Sequence, residues 1–112
     1  MAYREVKERL RGSIAPVVTP FDEEGNVDLT TLTSLIDWHI KSGTHGISVT
    51  GTSGEPSSLT LDERKQVMET AKKAVAGRVP FVPGTGSTNH AETIELTKFA
   101  QEIGADAAMV IV

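Results

Sequence analysis

The chain has 112 residues, a hydrophobic fraction of 38% and a formal net charge of −4, the size and composition of one soluble globular domain rather than a disordered segment. Its eleven Lys and Arg are scattered among fifteen acids; with no basic stripe, a nucleic-acid partner is not expected. The absence of Cys excludes a disulfide framework, a thiolate metal site and a thiol nucleophile.

The charged opening Met1–Leu10 reads as a short helix and lacks the apolar centre of a signal peptide. No apolar run approaches the length of a membrane span. A cytoplasmic protein with no membrane partner is therefore the expectation.

Four apolar, β-rich runs follow, at 13–19, 46–50, 79–82 and 107–112. Each is continuous rather than alternating, as in parallel strands covered on both faces. Helical patterns lie between them. After Asp28, a predicted N-cap, the residues Leu29, Leu32, Leu35, Ile36 and Ile40 recur at helical spacing. Thr60 and Glu63 form a T-x-x-E capping box before the stripe Leu61, Arg64, Val67, Met68, Ala71, Ala74 and Val75. Asn89 with Glu92 repeats that cap less strongly, ahead of Ile94, Phe99, Ala100 and Ile103. Gly43, Gly77 and Gly104 stand where helices end.

The alternation β-α-β-α-β-α-β predicts a parallel sheet. Two architectures fit it: a small doubly wound sheet, or the N-terminal half of a (β/α)8 barrel, which needs roughly 250 residues. The final run, Ala107 to Val112, stops inside a strand pattern. An apolar strand edge rarely closes a domain, so residues 1–112 are expected to be the N-terminal portion of a single barrel domain. Met68 and Met109 are expected in the core.

The second run leads directly into Gly51-Thr52-Ser53-Gly54-Glu55. Two glycines around two hydroxyls are expected to allow φ > 0 and a close approach of backbone to ligand. Such a turn at the carboxyl end of a parallel strand suits a small carboxylate or phosphate. A plain βα connection, with glycines for turning only, fits the spacing equally well. His39, His45 and His90 share no metal-ligand spacing and read as structural. The run Pro83 to Asn89 opens a helix and has N–H groups for an anion, but lacks the Walker lysine and the G-x-G-x-x-G pattern of a nucleotide site.

Gly51–Glu55 with Ser58-Leu59-Thr60 and Glu63-Arg64 resembles the signature of the dihydrodipicolinate synthase and N-acetylneuraminate lyase family. Ala15 to Phe21 followed by Gly25-Asn26-Val27-Asp28 resembles its first strand and loop, and Pro83-Gly84-Thr85-Gly86 its third-strand loop. The three occur in order over nearly the whole chain, most like dihydrodipicolinate synthase-like proteins. The resemblance implies a (β/α)8 barrel and a pyruvate-dependent class I aldolase or lyase. Pyruvate forms a Schiff base with a lysine, and the enamine adds to an aldehyde such as aspartate semialdehyde. A sialic-acid or sugar-acid aldolase is the alternative within the family, and a non-catalytic half-barrel that pairs with another chain the alternative outside it.

On this resemblance Thr52 is the hydroxyl of a proton relay, Ser53 holds the pyruvate carboxylate, and Gly54 lets backbone approach it. No metal or other cofactor is implied, and a homo-oligomer is expected. Lys7, Lys41, Lys65, Lys72, Lys73 and Lys98 all fall on helical stretches, and the only tyrosine is Tyr3. The Schiff-base lysine and the relay tyrosines are thus not among these residues, and residues 1–112 alone are expected to be inactive.

Overall fold

The computed structural model describes residues 3–111. Helix α1 (Tyr3–Arg9) is followed by β1 (Ile14–Pro16), α2 (Leu29–Lys41), β2 (Gly46–Ser48), α3 (Leu61–Val75) and α4 (His90–Glu102). Strands β1 and β2 pair in parallel, Ile14 opposite Gly46, Ala15 opposite Ile47 and Pro16 opposite Ser48. On the other side of β2, the Ile47 N–H donates to the Pro80 carbonyl and its carbonyl accepts from Val82, both at 2.9 Å. A fourth segment joins through a parallel bridge between Gly84 and Met109. The spatial order is therefore sequential and parallel, as the βα alternation predicts. It is the arrangement of consecutive units in a (β/α)8 barrel.

The ladders are shorter than the apolar runs. The run 13–19 contributes a strand only over Ile14–Pro16, 46–50 only over Gly46–Ser48, and 79–82 and 107–112 only single bridges at Phe81 and Met109. Val112 lies outside the described residues. Proline explains part of this: Pro16, Pro80 and Pro83 have no N–H to donate. A side chain explains another part. The Asp106 carboxylate accepts the Phe81 N–H at 2.8 Å, while the Asp106 N–H donates to the Phe81 carbonyl at 3.0 Å.

The helices form where the caps predict. Asp28 accepts the Thr31 N–H at 3.0 Å, and both halves of the Thr60–Glu63 box are present, at 2.8 and 3.1 Å. Asn89 caps α4 through the Glu92 N–H, but the Glu92 carboxylate turns away to accept the Ser87 hydroxyl at 2.9 Å. That helix has one arm of a box, not two. Gly43, Gly77 and Gly104 have φ of +102°, +73° and +85°. The left-handed turn after α3 begins one residue earlier, at Ala76.

The core lies between the outer face of the sheet and the three long helices. It gathers Val17, Leu32, Ile36, Ile47, Val49, Val67, Met68, Ala71, Val75, Phe81, Leu96 and Ala100. Burying such side chains from water is the main favourable term of folding. The face of α4 differs from the expected one, since Leu96 is fully buried and Ile94 is 44% exposed. Phe99 and Ile103 only flank the cluster. Met109, expected in the core, is 39% exposed; its side chain reaches over Gly51, whose missing Cβ would sit 3.1 Å from the Met109 Cε. Arg78 ties the end of α3 to α2, donating to the Ala74 carbonyl and to Asp37. Hydrogen bonds from Lys41 and then Arg78 hold the Asp37 carboxyl below the ordinary carboxylate range.

Replacing Asp106 by Ala strands the Phe81 N–H and is expected to cost about 1–3 kcal/mol in urea unfolding. Arg9, which pairs with Asp106, is 36% exposed in its side chain, so Arg9→Ala is expected to cost less than about 1 kcal/mol. Equal losses would show that the ion pair, not the carboxylate on the strand, carries the effect.

A Cβ on Gly84 would lie 2.5 Å from the Thr50 carbonyl oxygen. Gly84→Ala must therefore move backbone and is expected to cost about 3 kcal/mol or more. At Gly77 the space is open and only the positive φ resists a side chain, so Gly77→Ala is expected to cost about 1 kcal/mol. A Gly84→Ala protein as stable as the parent in the same titration would contradict this packing.

Candidate active site

The Gly51–Glu55 segment follows β2 at the carboxyl end of the sheet. Thr52–Gly54 forms one turn of 3-10 helix and Pro56–Ser58 a second, with Glu55 left-handed at φ 52° between them. The glycines do not supply the positive φ that their spacing suggests. The left-handed residues are Thr50, at φ 54°, and Glu55. The two glycines serve close packing instead. Gly54 is buried with its carbonyl accepting the Thr19 hydroxyl at 2.7 Å, and a Cβ there would stand 3.2 Å from that oxygen. Gly51 lies beneath Met109.

Thr50 is the unusual residue. It is β-branched and buried, and a left-handed backbone of this kind costs on the order of 1–3 kcal/mol unless its surroundings hold it. Its hydroxyl donates to the Gly84 carbonyl at 2.8 Å, with the Val49 carbonyl also at 2.7 Å. The Gly84 N–H donates to the same Val49 carbonyl at 2.8 Å. The third segment is thus pressed against the end of the second.

Arg64 completes the arrangement from α3. It is 5% exposed, and its guanidinium donates through Nη2 to the Gly84 carbonyl at 2.9 Å and through Nη1 to the Gly86 carbonyl at 2.8 Å. Burial pushes its pKa below the ordinary arginine value, and the nearby Glu92 carboxylate pulls it back up. Arginine stays protonated through such shifts, so a fixed positive charge stands under this end of the sheet. Arg64 Nε and the buried Ser48 hydroxyl have no partner among the described residues.

These parts border a groove of about 890 Å3. Thr50, Gly51 and Thr52 line one side, Arg64 and Leu61 the α3 side, and Gly84, Ser87, Thr88 and Glu92 the side of the next loop. Thr52 therefore faces the groove. Ser53 is exposed on the same turn but does not line the groove, and Gly54 is buried behind it. The Thr52 and Ser53 N–H groups, at the start of the turn, donate to no acceptor among the described residues. Free N–H groups beside hydroxyls are a means of holding a carboxylate. In Pro83–Asn89 the Gly86 and Thr88 N–H groups likewise donate to no acceptor among the described residues, while the others are engaged within the fold. The Thr85 N–H is taken by the Met109 carbonyl, the Ser87 N–H by the Thr93 hydroxyl and the Asn89 N–H by the Ser87 hydroxyl.

The lysines lie on α1, α2, α3 and α4, away from the strand ends. Lys65 pairs with Glu95 at 2.8 Å, which raises its pKa, the opposite of what an amine nucleophile needs. His45 accepts the Ser13 N–H through Nδ1 at 2.9 Å, at the amino end of β2, and serves the fold. Among the described residues no group of three His, Asp or Glu is placed to hold a metal ion, and no helix is long and apolar enough to cross a membrane. In the sequence Arg64 and Gly84 stand in the family-like motifs Glu63-Arg64 and Pro83–Gly86 with no role of their own, and Thr50 only ends the second apolar run. Arg64 left one signal, a charge standing on the apolar row of α3 between Leu61 and Met68.

Residues 9–112 match the Dihydrodipicolinate synthetase family. The chain is 52% identical over 102 residues to the 4-hydroxy-tetrahydrodipicolinate synthase of Thermus thermophilus, covering 91% of this chain and 34% of that protein. It superposes with a TM-score of 0.86 on a crystal structure of the chloride-inhibited dihydrodipicolinate synthase of Acinetobacter baumannii in complex with pyruvate, at 42% identity over 90% of this chain and 35% of that one. The N-acetylneuraminate lyase of Mycoplasma synoviae is similar at a TM-score of 0.82 and 34% identity, over 87% of this chain and 34% of that one. The chain thus spans about a third of the length of the relatives it matches. With its sequential parallel strands and its hydroxyl-bearing turn after β2, the chain belongs to the dihydrodipicolinate synthetase family.

Proposed function

We propose that these residues supply the carboxylate-binding wall of a pyruvate-dependent class I aldolase, most like 4-hydroxy-tetrahydrodipicolinate synthase. The observation that carries the reading is the Thr52–Gly54 turn, with two hydroxyls and two unengaged N–H groups at the carboxyl end of β2, in a chain similar to a synthase solved with pyruvate. The Ser53 hydroxyl and N–H take the pyruvate carboxylate, and the Gly54 backbone approaches it. The Thr52 hydroxyl, able to donate and accept at once, passes a proton during Schiff-base formation. The amine nucleophile comes from residues outside these 112. It attacks the pyruvate ketone, loses water to form the iminium, and gives up a methyl proton to form the enamine that adds to an aldehyde.

A sugar-acid aldolase is the second reading, favoured by the likeness to the Mycoplasma lyase. Both share the pyruvate half-reaction and differ in the aldehyde. The working protein is a cytoplasmic homo-oligomer on this proposal. Val110 and Ile111, 46% and 55% exposed, present apolar surface that the remaining units of a barrel would cover.

Borohydride reduction of the full-length gene product with pyruvate is expected to add one reduced pyruvyl group to a single lysine, seen by mass spectrometry. Absence of an adduct would remove the aldolase reading. Aspartate semialdehyde turnover then separates synthase from sugar-acid aldolase. Ser53→Ala is expected to weaken pyruvate binding by about 1–2 kcal/mol, the scale of a hydrogen bond to a charged group. An unchanged titration would take Ser53 out of the site. The isolated 1–112 chain is expected to show no turnover, and any would place the nucleophile among its own helical lysines.

A further inference from the structure

We infer that Arg64 is a positioning residue, which holds the Gly51–Glu55 turn in its observed shape by clamping the Gly84 carbonyl that Thr50 also grips. The turn leaves the sheet through Thr50, and the direction it takes is set by the left-handed backbone there, at φ 54°. A β-branched residue does not rest in that region unaided. Were Thr50 to relax to the extended conformation of the strand before it, the peptide that follows would swing away and the Thr52 and Ser53 groups with it.

What opposes relaxation is the third segment. Gly84 packs its backbone against the Thr50–Gly51 peptide, where a Cβ would meet the Thr50 carbonyl oxygen at 2.5 Å and the Gly51 Cα at 3.0 Å. The Thr50 hydroxyl reaches the Gly84 carbonyl at 2.8 Å. That carbonyl accepts a second bond, at 2.9 Å, from Arg64 Nη2, while Nη1 holds the Gly86 carbonyl at 2.8 Å. One planar guanidinium thus fixes two carbonyls of the same loop two residues apart, a geometry suited to a forked donor and not to a point charge. Its own helix is anchored by the capping box at Thr60 and Glu63, only a few residues beyond the turn. The clamp therefore closes a loop: turn, helix, guanidinium, third segment, Thr50, turn.

The consequence for pyruvate rests on the proposed function; the consequence for the turn does not. Residue-resolved amide exchange on the full-length gene product separates them. In Arg64→Met, exchange of the Gly54 and Glu55 amides, which bond to the Gly51 and Thr52 carbonyls at 2.9 and 3.1 Å, is expected to accelerate about tenfold, the scale of one charge-assisted hydrogen bond. Amides of α4 are expected to stay as they were. Arg64→Lys, which reaches one carbonyl, restores part of the protection. Thr50→Val keeps the shape but not the hydroxyl, leaves α3 untouched, and is expected to loosen the same two amides.

In pyruvate titrations, Arg64→Met and Ser53→Ala are expected to be non-additive, because a displaced Ser53 has less binding to lose. Gly54 and Glu55 exchange that is unchanged, or that rises equally throughout the chain, would overturn the clamp and leave Arg64 as a stabilising residue only. A parent protein that traps no pyruvate would overturn the proposed function, while the exchange result still decides the clamp.

Discussion

Among the described glycines, the tightest approach of backbone to backbone is that of Gly84 to the Thr50–Gly51 peptide, which leaves no room for a Cβ. Two parallel segments that would otherwise diverge past the end of their ladder are held together there by backbone packing. Thr50 turns left-handed at that point, and the hydroxyl-bearing turn departs in a direction that the preceding strand alone would not give. Position 84 therefore requires glycine for a reason unrelated to φ: the partner atoms are backbone, and backbone cannot move aside as the end of a side chain can.

A buried arginine is ordinarily a cost, since removing a guanidinium from water is unfavourable unless its donors are met. Arg64 meets much of its demand with two loop carbonyls, and Glu92 borders the same groove. Carbonyls accept charge-assisted bonds without introducing a second buried ion. The arrangement differs from that of Arg78, which caps a helix end at the surface and pairs with a half-exposed Asp37. The same residue type thus serves two purposes: Arg78 ties helix to helix, and Arg64 ties helix to the loop after the third segment.

The groove is polar where the turn and the third loop meet it and apolar where Met109 and Ile111 do. In a barrel, residues that point toward the axis fill a shared interior. Ser48 and Thr50, on that side of β2, are buried, while Val110 and Ile111 of the fourth segment stand open. The chain spans about a third of the length of its relatives.

Much of the fold was legible because its signals are local. Capping residues satisfy N–H groups within one turn of themselves, so Asp28, Thr60 with Glu63, and Asn89 marked helix starts that the structure reproduces. Apolar spacing marked the buried rows of α2 and α3. The alternation of elements gave a parallel, sequential sheet because crossovers leave few other topologies. The motif Gly51–Glu55 marked the turn that follows β2. What the sequence did not contain was anything decided by a distant neighbour. The strands were shorter than the apolar runs because prolines and the Asp106 carboxylate break the ladder across segments. Leu96, not Ile94, faces the core because of how α4 lies against α3. The positive φ fell on Thr50 and Glu55 rather than on the glycines, since Gly51 and Gly54 were needed where Met109 and Thr19 come close. Arg64 reads in sequence as a charge on the apolar row of α3 within a family-like motif; only the approach of the third segment, 20 residues away along the chain, makes it the partner of Gly84.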